Sequence, residues 1–328
     1  MRSRTRALAA ETGYLGGMRV ENAVAPAESR LFDDYVFGDW SANATPKRGR
    51  DSLWLCRARL SDGGELTYEL DNPPTRTDAH RRLREWLGEA VQRDRRALVG
   101  LDFPYGMPAD SYALLLGGGA AAGWREYWAA VSSRITDGPK NGNNRFEVAD
   151  AFNRTCALGE GPFWGTPPRT ATEALKTTKP RAGHGPSEFR AVEQTLRAAG
   201  RRPFSVWQLL GNGSVGSQAL MGLPMLHALT NDPELAPHSV VWPFEPVSLA
   251  ASRRPLIVHT EVWPGAIDVD TSRHAIKDAA QMIALATWAA RADATGTLAR
   301  YFNAVHATPE REARACVEGW VLGVASTE

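Results

Sequence analysis

Four acidic residues adjoin apolar runs at widely separated points of the chain. Asp39 follows YVFG, Asp102 follows ALVGL, Glu261 follows LIVHT, and Asp278 lies near the start of HAIKDAAQMIALATWAA. Phosphoryl transfer uses divalent metal ions, and hard cations such as Mg²⁺ prefer carboxylate oxygens. A site for two metal ions needs roughly three or four such acids. We therefore predict one catalytic site, in which Asp39, Asp102 and Asp278 bind Mg²⁺ or Mn²⁺ and Glu261 is a fourth ligand or orients the others.

Each of these acids, taken singly, could instead cap a helix or close a turn. The repeated placement of an acid after an apolar strand favours the shared site, provided that the strands belong to one sheet. The pattern of apolar residues and turn signals predicts three strands, a helix and a further strand, over residues 35–41, 52–60, 65–70, 78–95 and 97–103. A parallel strand reached through a helix pairs by a right-handed crossover. Asp39 and Asp102 should therefore lie on neighbouring strands, at the same edge of the sheet.

The middle of the chain, residues 108–240, has a different character and is predicted to be a helical insertion. Helices are expected at 124–135 and 187–199, and the Gly-, Pro- and Asn-rich stretch 137–168 is expected to be a long ordered loop. Regular α/β patterning then returns with a predicted strand at 255–262 and a predicted helix at 272–291, which carries Asp278 in its first turns.

Two segments of this insertion are candidates for binding phosphate. The segment GNGSVGSQ, residues 211–218, precedes an apolar helical run, and exposed backbone N–H groups at such a helix start bind anions. A glycine-rich turn before a packed helix is the alternative. In RTATE, Arg169 could contact phosphate, whereas Thr170 and Glu173 also match a capping box. The predicted substrate-binding residues are Ser41, Arg169, Glu173, Gln208, Gly213, Ser214, Gly216, Ser217 and Gln218.

Composition sets broader limits. The 328-residue chain is 43% hydrophobic and 23% charged with a net charge of +1, so the chain as a whole does not have the character of a polyanion-binding protein. Its three widely spaced cysteines form no disulfide framework or metal motif, which predicts a cytoplasmic protein. No apolar run reaches the roughly 18 residues that span a bilayer. Residues 1–30 are expected to be a poorly ordered extension rather than a signal peptide.

The motifs DWS, LDFPYG, EVWP and HAIKDAAQMIAL together resemble those of a group of bacterial proteins, the DUF429-like predicted nucleases, which have a ribonuclease H-like fold. The resemblance covers about residues 33–292 and places Asp39, Asp102, Glu261 and Asp278 at the acidic positions of the group's motifs. It implies an α/β core with a mixed sheet, built from a three-strand meander, a helix and parallel strands, and interrupted here by a large helical insertion. Because this fold hosts several activities, the resemblance implies no particular reaction.

These observations predict a metal-dependent nuclease or phosphodiesterase, that is, a hydrolase acting on phosphodiester bonds of a nucleic acid or nucleotide. An enzyme of small phosphate-containing metabolites, or a nucleotide-binding protein, on the same fold is the alternative, and a non-catalytic interaction module is a third hypothesis. The last requires the four acids to be dispersed. The expected organisation is an extension (1–30), the first part of the core (31–107), the insertion (108–240), and the end of the core with C-terminal helices (241–328).

Overall fold

The fold is α/β, with helices on both faces of one mixed sheet. It was analysed in a computed structural model, and the structure describes residues 15–20 (backbone only), 30–61, 65–118, 122–181, 185–249, 254–268 and 270–325. The expected extension therefore lies mostly outside the described residues. Where it is described, at Leu15–Val20, it differs from the expectation and forms a strand.

The sheet has seven strands. They are β1 (Leu15–Val20), β2 (Asp34–Asp39), β3 (Trp54–Leu60), β4 (Leu66–Asp71), β5 (Arg96–Asp102), β6 (Ser239–Val241) and β7 (Leu256–Glu261), in the spatial order β1-β4-β3-β2-β5-β7-β6. The β1–β4, β3–β4 and β2–β3 pairs are antiparallel, and the β2–β5, β5–β7 and β6–β7 pairs are parallel. The predicted meander and the predicted parallel strand beside β2 are thus confirmed.

Nine α-helices occur in the described part of the chain. They are α1 (Arg76–Gln92), α2 (Tyr112–Leu115), α3 (Trp124–Arg134), α4 (Arg145–Cys156), α5 (Ala191–Ala198), α6 (Val215–Thr230), α7 (Lys277–Ala294), α8 (Leu298–Asn303) and α9 (Pro309–Glu318). Within the described ranges, none of them is both long and apolar enough to cross a membrane.

Alternation of side chains along the strands builds a hydrophobic core on each face of the sheet. On one face, Val36 and Val99 belong to a core that also contains Leu83 of α1 and residues of α3, α4 and α6. On the other face, Phe37 belongs to a core with Met282 and other residues of α7. Both faces are therefore covered, which explains why the central strands read as nearly continuous apolar runs.

Three predictions for the insertion are wrong. The stretch 137–168 is not a single loop, because α4 lies within it and buries Val148, Ala149 and Phe152 on one side. These residues have helical spacing, but the Gly- and Asn-rich flanks dominate the composition. The capping box at Thr170 and Glu173 is also absent, since only a short 3-10 turn, Pro168–Thr170, forms there and no helix follows it. In addition, β6 begins at Ser239, so the last residues of the predicted insertion belong to the sheet.

Candidate functional site

Asp39 and Asp102, which we call the acid pair, end the two central parallel strands. They are direct partners in the register of β2 and β5. By alternation, both side chains point to the face that carries α7, because Phe37 and Leu98 on the same strands pack in that core. Neighbouring strands lie about 4.8 Å apart, so the two carboxylates stand side by side. The adjacency predicted from the crossover is confirmed.

The acid pair has no neutralising partner. Within the described ranges, no hydrogen bond or ion pair involves either carboxylate, although both residues are partly shielded from solvent. Burial, reinforced by the charges of Asp102 and Asp278, raises the pKa of Asp39 well above its usual value. Burial, together with the charge of Glu261, raises the pKa of Asp102 to about 7. A cation placed between the two carboxylates would remove this repulsion.

Asp278 approaches the acid pair from the first turn of α7, as predicted. Its Oδ2 accepts a hydrogen bond of 2.7 Å from the backbone N–H of Asp51, in the loop between β2 and β3. The charges of Asp278 and Asp51 both raise the pKa of Asp39, while that of Lys277 lowers it. Asp278 therefore adds negative charge to the site and holds the neighbouring loop.

Glu261 differs from the prediction, because the fold already supplies its counter-ion. It lies beside Leu101 in the β5–β7 register, so its side chain leaves the sheet on the face opposite to that of Asp102. Its two carboxylate oxygens accept hydrogen bonds of 2.7 and 2.6 Å from Arg190, which has no solvent exposure. Arg190 also pairs with Glu193, and Tyr105 donates its N–H to Glu261 at 3.1 Å. Glu261 thus anchors the insertion and does not share a cluster with the acid pair.

The four predicted acids therefore do not form one preassembled cage. In the part of the chain that the structure describes, no three His, Cys, Asp or Glu residues are grouped so that they could hold a metal ion. The acid pair is sufficient for an ion that needs few protein ligands, since Mg²⁺ is commonly held by one or two carboxylates and completes its shell with water and substrate phosphate. The unpartnered oxygens of Asp39 and Asp102 are donors of this type.

The helical part of the glycine-rich segment does not present free N–H groups to an anion. At the start of α6, the amides of Gly216, Ser217 and Gln218 donate to Gln208 O, Ser214 O and Ser214 O at 2.9, 3.1 and 3.2 Å. A side chain at Gly216 would lie only 2.4 Å from a backbone oxygen, and the φ of +78° at Gly213 favours glycine. The alternative prediction, a glycine-rich turn before a packed helix, describes this segment better.

The remaining predicted binding residues divide into two groups. Gln218 and Ser41 lie beside the acid pair, because Gln218 Nε2 donates to Trp40 O at 2.8 Å and Ser41 follows Trp40. Elsewhere, Gln208 braces its own loop by donating to Leu210 O and Asn212 O. Arg169 and Glu173 are exposed on the insertion, and in the described residues no hydrogen bond links them to β2 or β5.

One residue near the site was missed by the sequence reasoning. Arg145, the first residue of α4, donates from Nε to Ser217 Oγ at 3.0 Å and from Nη1 to Asn143 Oδ1 at 2.8 Å. Its guanidinium lies 4.3 Å from the ring centroid of Phe146. The only available signal was an arginine opening an apolar helical pattern, and the composition of the flanking loop hid it.

Comparisons of this chain with models of protein families, with curated proteins and with solved structures found no match.

Proposed function

We propose that this chain is a metal-dependent phosphoryl-transfer enzyme with a ribonuclease H-like fold, and that it hydrolyses phosphodiester bonds as a nuclease or phosphodiesterase. The observation that carries the proposal is the acid pair, two adjacent carboxylates with no partner and a raised pKa, at the carboxyl ends of the central strands. Ligand sites in α/β sheets of this kind lie outside the carboxyl ends of the strands.

The sheet supports the fold assignment that the sequence resemblance implies. A three-strand meander (β2, β3, β4) is followed by α1 and then by the parallel strands β5 and β7. The insertion joins β5 to β6 on one side, and α7 closes the other face and brings Asp278 to the acid pair.

The chemistry of the acid pair fits Mg²⁺ or Mn²⁺, held by Asp39 and Asp102 with Asp278 nearby. Such an ion, when bound, supplies positive charge to phosphoryl oxygens and lowers the pKa of coordinated water. The chain's own residues hold the backbone that follows Asp39. Gln218 holds Trp40 O, and the buried Arg76 donates to Ser41 O at 3.0 Å while it pairs with Asp137.

The metal site is tested by calorimetry with Mn²⁺ on the wild-type protein and on Asp39→Asn. We expect wild-type binding that the variant loses, because the substitution removes one of two anionic ligands without changing side-chain shape. Asp94→Asn is the matched control, since Asp94 lies at the opposite, amino-terminal end of β5, and Asn accommodates its φ of +54°. Equal Mn²⁺ affinity in Asp39→Asn and wild type would contradict the proposal.

Activity is tested with a phosphodiester panel of single-stranded and double-stranded DNA, RNA and a chromogenic diester. We expect Asp39→Asn and Asp102→Asn to lower kcat by about a hundredfold or more, as removal of transition-state charge stabilisation does, and Asp94→Asn to retain wild-type turnover. Unchanged turnover in Asp39→Asn would remove the acid pair from the reaction.

An enzyme or binding protein for a nucleotide or phosphorylated metabolite is the second candidate. It is favoured by the position of α6, which approaches the end of β2 through the bond from Gln218 to Trp40 and so covers part of the sheet edge. A nucleic-acid complex should weaken steeply with added salt, whereas binding of one small ligand should change little. The interaction module required all four acids to be dispersed, and the direct pairing of Asp39 with Asp102 does not meet that condition, although Glu261 is separate from them.

A further inference from the structure

Arg145 is a partly buried cation whose partners are all neutral. Its two hydrogen bonds go to a hydroxyl oxygen, Ser217 Oγ, and an amide oxygen, Asn143 Oδ1. Burial, and the positive charge of Arg76 nearby, lower the pKa of Arg145 to about 10, so the guanidinium is still charged at neutral pH. The fold thus keeps a positive charge in a shielded position without an anion.

Two other buried arginines, Arg57 and Arg190, have counter-ions within the chain, whereas the buried Arg96 forms no ion pair among the described residues and donates to Leu249 O. Arg57 pairs with Glu69 and Glu89 at 2.6 and 2.8 Å. Arg190 pairs with Glu193 and Glu261. A shielded charge is costly unless it is paired, and these two residues meet that requirement within the protein. Arg145, like Arg96, does not, but its guanidinium is only partly buried, so an anion from outside the chain can supply the missing charge.

The position of Arg145 connects it to the candidate active site by two routes. Its partner Ser217 is adjacent in sequence to Gln218, whose side chain holds Trp40 O, one residue after Asp39. Arg76, whose charge acts on Arg145, donates to Ser41 O. Both routes end at the carboxyl end of β2, on the face opposite to α7. A ligand that contacts both Arg145 and the acid pair must therefore cross the end of the sheet.

The guanidinium of Arg145 also has N–H groups that are not used in hydrogen bonds within the protein. A guanidinium carries five N–H groups in a planar fork that matches phosphate oxygens, and its two hydrogen bonds leave Nη2 without a partner among the described residues. Phe146 supports one side of the group, and Ser217 and Asn143 fix its orientation. A fork held in place in this way loses little freedom when it binds an anion.

We propose that Arg145 binds a phosphate group of the substrate and so positions the adjoining phosphate ester at the acid pair. The identification of that phosphate as part of a substrate rests on the proposed function, whereas the anion site itself does not. Phosphate recognition is thereby assigned to a side chain of α4 rather than to the backbone of the glycine-rich segment, whose first-turn amides are already used.

The experiment measures binding of inorganic phosphate in EDTA by calorimetry. Arg145→Gln should weaken binding about tenfold to a hundredfold, the effect of losing a charge-assisted hydrogen bond, and Arg145→Lys should retain part of the affinity. Arg154→Gln is the control, because Arg154 lies on the same helix but is exposed and paired with Asp150. No phosphate binding by wild type, or equal affinity in Arg145→Gln and wild type, would overturn the proposal, once thermal unfolding shows that the variant is folded.

Two further arms separate this site from the metal site. Phosphate binding in EDTA should persist in Asp39→Asn, and Mn²⁺ binding should persist in Arg145→Gln, so failure of one proposal leaves the other measurable. Competition by a nucleoside monophosphate and by a dinucleotide distinguishes a terminal phosphate from an internal diester. If turnover is found, Arg145→Gln should raise KM far more than it lowers kcat, and an unchanged KM would exclude Arg145 from substrate binding.

Discussion

Three carboxylates at the carboxyl ends of adjacent strands, those of Asp39, Asp102 and Glu261, differ in whether the fold supplies a counter-ion. Glu261 and Glu193 share the guanidinium of the fully buried Arg190, and we call these three residues the buried ion-pair group. The acid pair, Asp39 and Asp102, forms no ion pair within the described ranges, and the charge of Lys277 only partly offsets the repulsion at Asp39. Asp102 and Glu261 are near enough that the charge of one raises the pKa of the other.

The difference shows what a carboxylate in a shielded place requires. An unpaired charge there costs several kcal/mol unless a counter-ion or a proton compensates it. The buried ion-pair group obtains its counter-ion from the insertion and thereby fastens the insertion to the sheet. The acid pair obtains none, so in the absence of an added cation a proton is retained to higher pH. One group serves the structure, and the other is available to a ligand.

The largest expected effect comes from removing the internal cation. Arg190→Met should lower the free energy of unfolding by about 3–5 kcal/mol, because two buried carboxylates then lose their partner. Urea unfolding measures this loss. Arg201→Met is the matched control: Arg201 pairs with Asp268 on the surface at 3.0 Å, and its loss should leave the unfolding midpoint close to that of wild type. Equal midpoints for the two variants would show that the buried ion-pair group contributes nothing to stability.

A rise in pH should lower the contribution of the acid pair to the free energy of unfolding, whereas it raises the contribution of carboxylates that are ion-paired in the folded state. Because the pKa of Asp102 is raised to about 7 in the folded state, the folded protein binds this proton more tightly than the unfolded chain does. In EDTA, this contribution to the free energy of unfolding therefore falls as pH rises from about 4 through about 7, by at most about 1.4 kcal/mol per pH unit.

Asp102→Asn should remove that contribution. Buried His259, whose pKa is lowered to about 3, adds the opposite slope below its unfolded pKa, so the quantity to compare is the difference between wild type and variant at each pH. Parallel profiles of stability against pH for the two proteins would show that Asp102 titrates alike in the folded and unfolded states.

The smallest expected effect concerns two isosteric substitutions. Glu261→Gln and Asp39→Asn should change the free energy of unfolding in opposite directions. Glu261→Gln weakens a charged hydrogen-bonding network and should destabilise the protein by about 2 kcal/mol. Asp39→Asn relieves repulsion from Asp102 and Asp278 and should stabilise the metal-free protein by roughly 1 kcal/mol. Thermal unfolding in EDTA at pH 8 measures both. If Asp39→Asn were as destabilising as Glu261→Gln, the two groups would not differ as described.

The elements that position the acid pair could be predicted from the sequence because they depend on local patterns. Apolar runs ending in turn signals located β2 and β5, and the handedness of a crossover placed them side by side. The position of Asp278 in the first turn of α7 was likewise predicted from the local apolar pattern. The glycine-rich segment was correctly placed before a helix, but local pattern alone did not distinguish free N–H groups from bonded ones.

Only the tertiary structure decided which charges are neutralised. Glu261 follows an apolar strand as Asp39 and Asp102 do, yet its partner Arg190 lies 71 residues earlier in the chain. Arg145 looks like any helical arginine until its neighbours Ser217 and Asn143 are seen to be neutral. The sequence by itself determined the meander β2–β4, the strands β5 and β7, the pairing of β5 with β2 and the acids at the ends of β2, β5 and β7, since these follow from periodicity and chain connectivity, whereas β1 and β6 were not predicted. Charge compensation depends on contacts between distant segments, which periodicity does not encode.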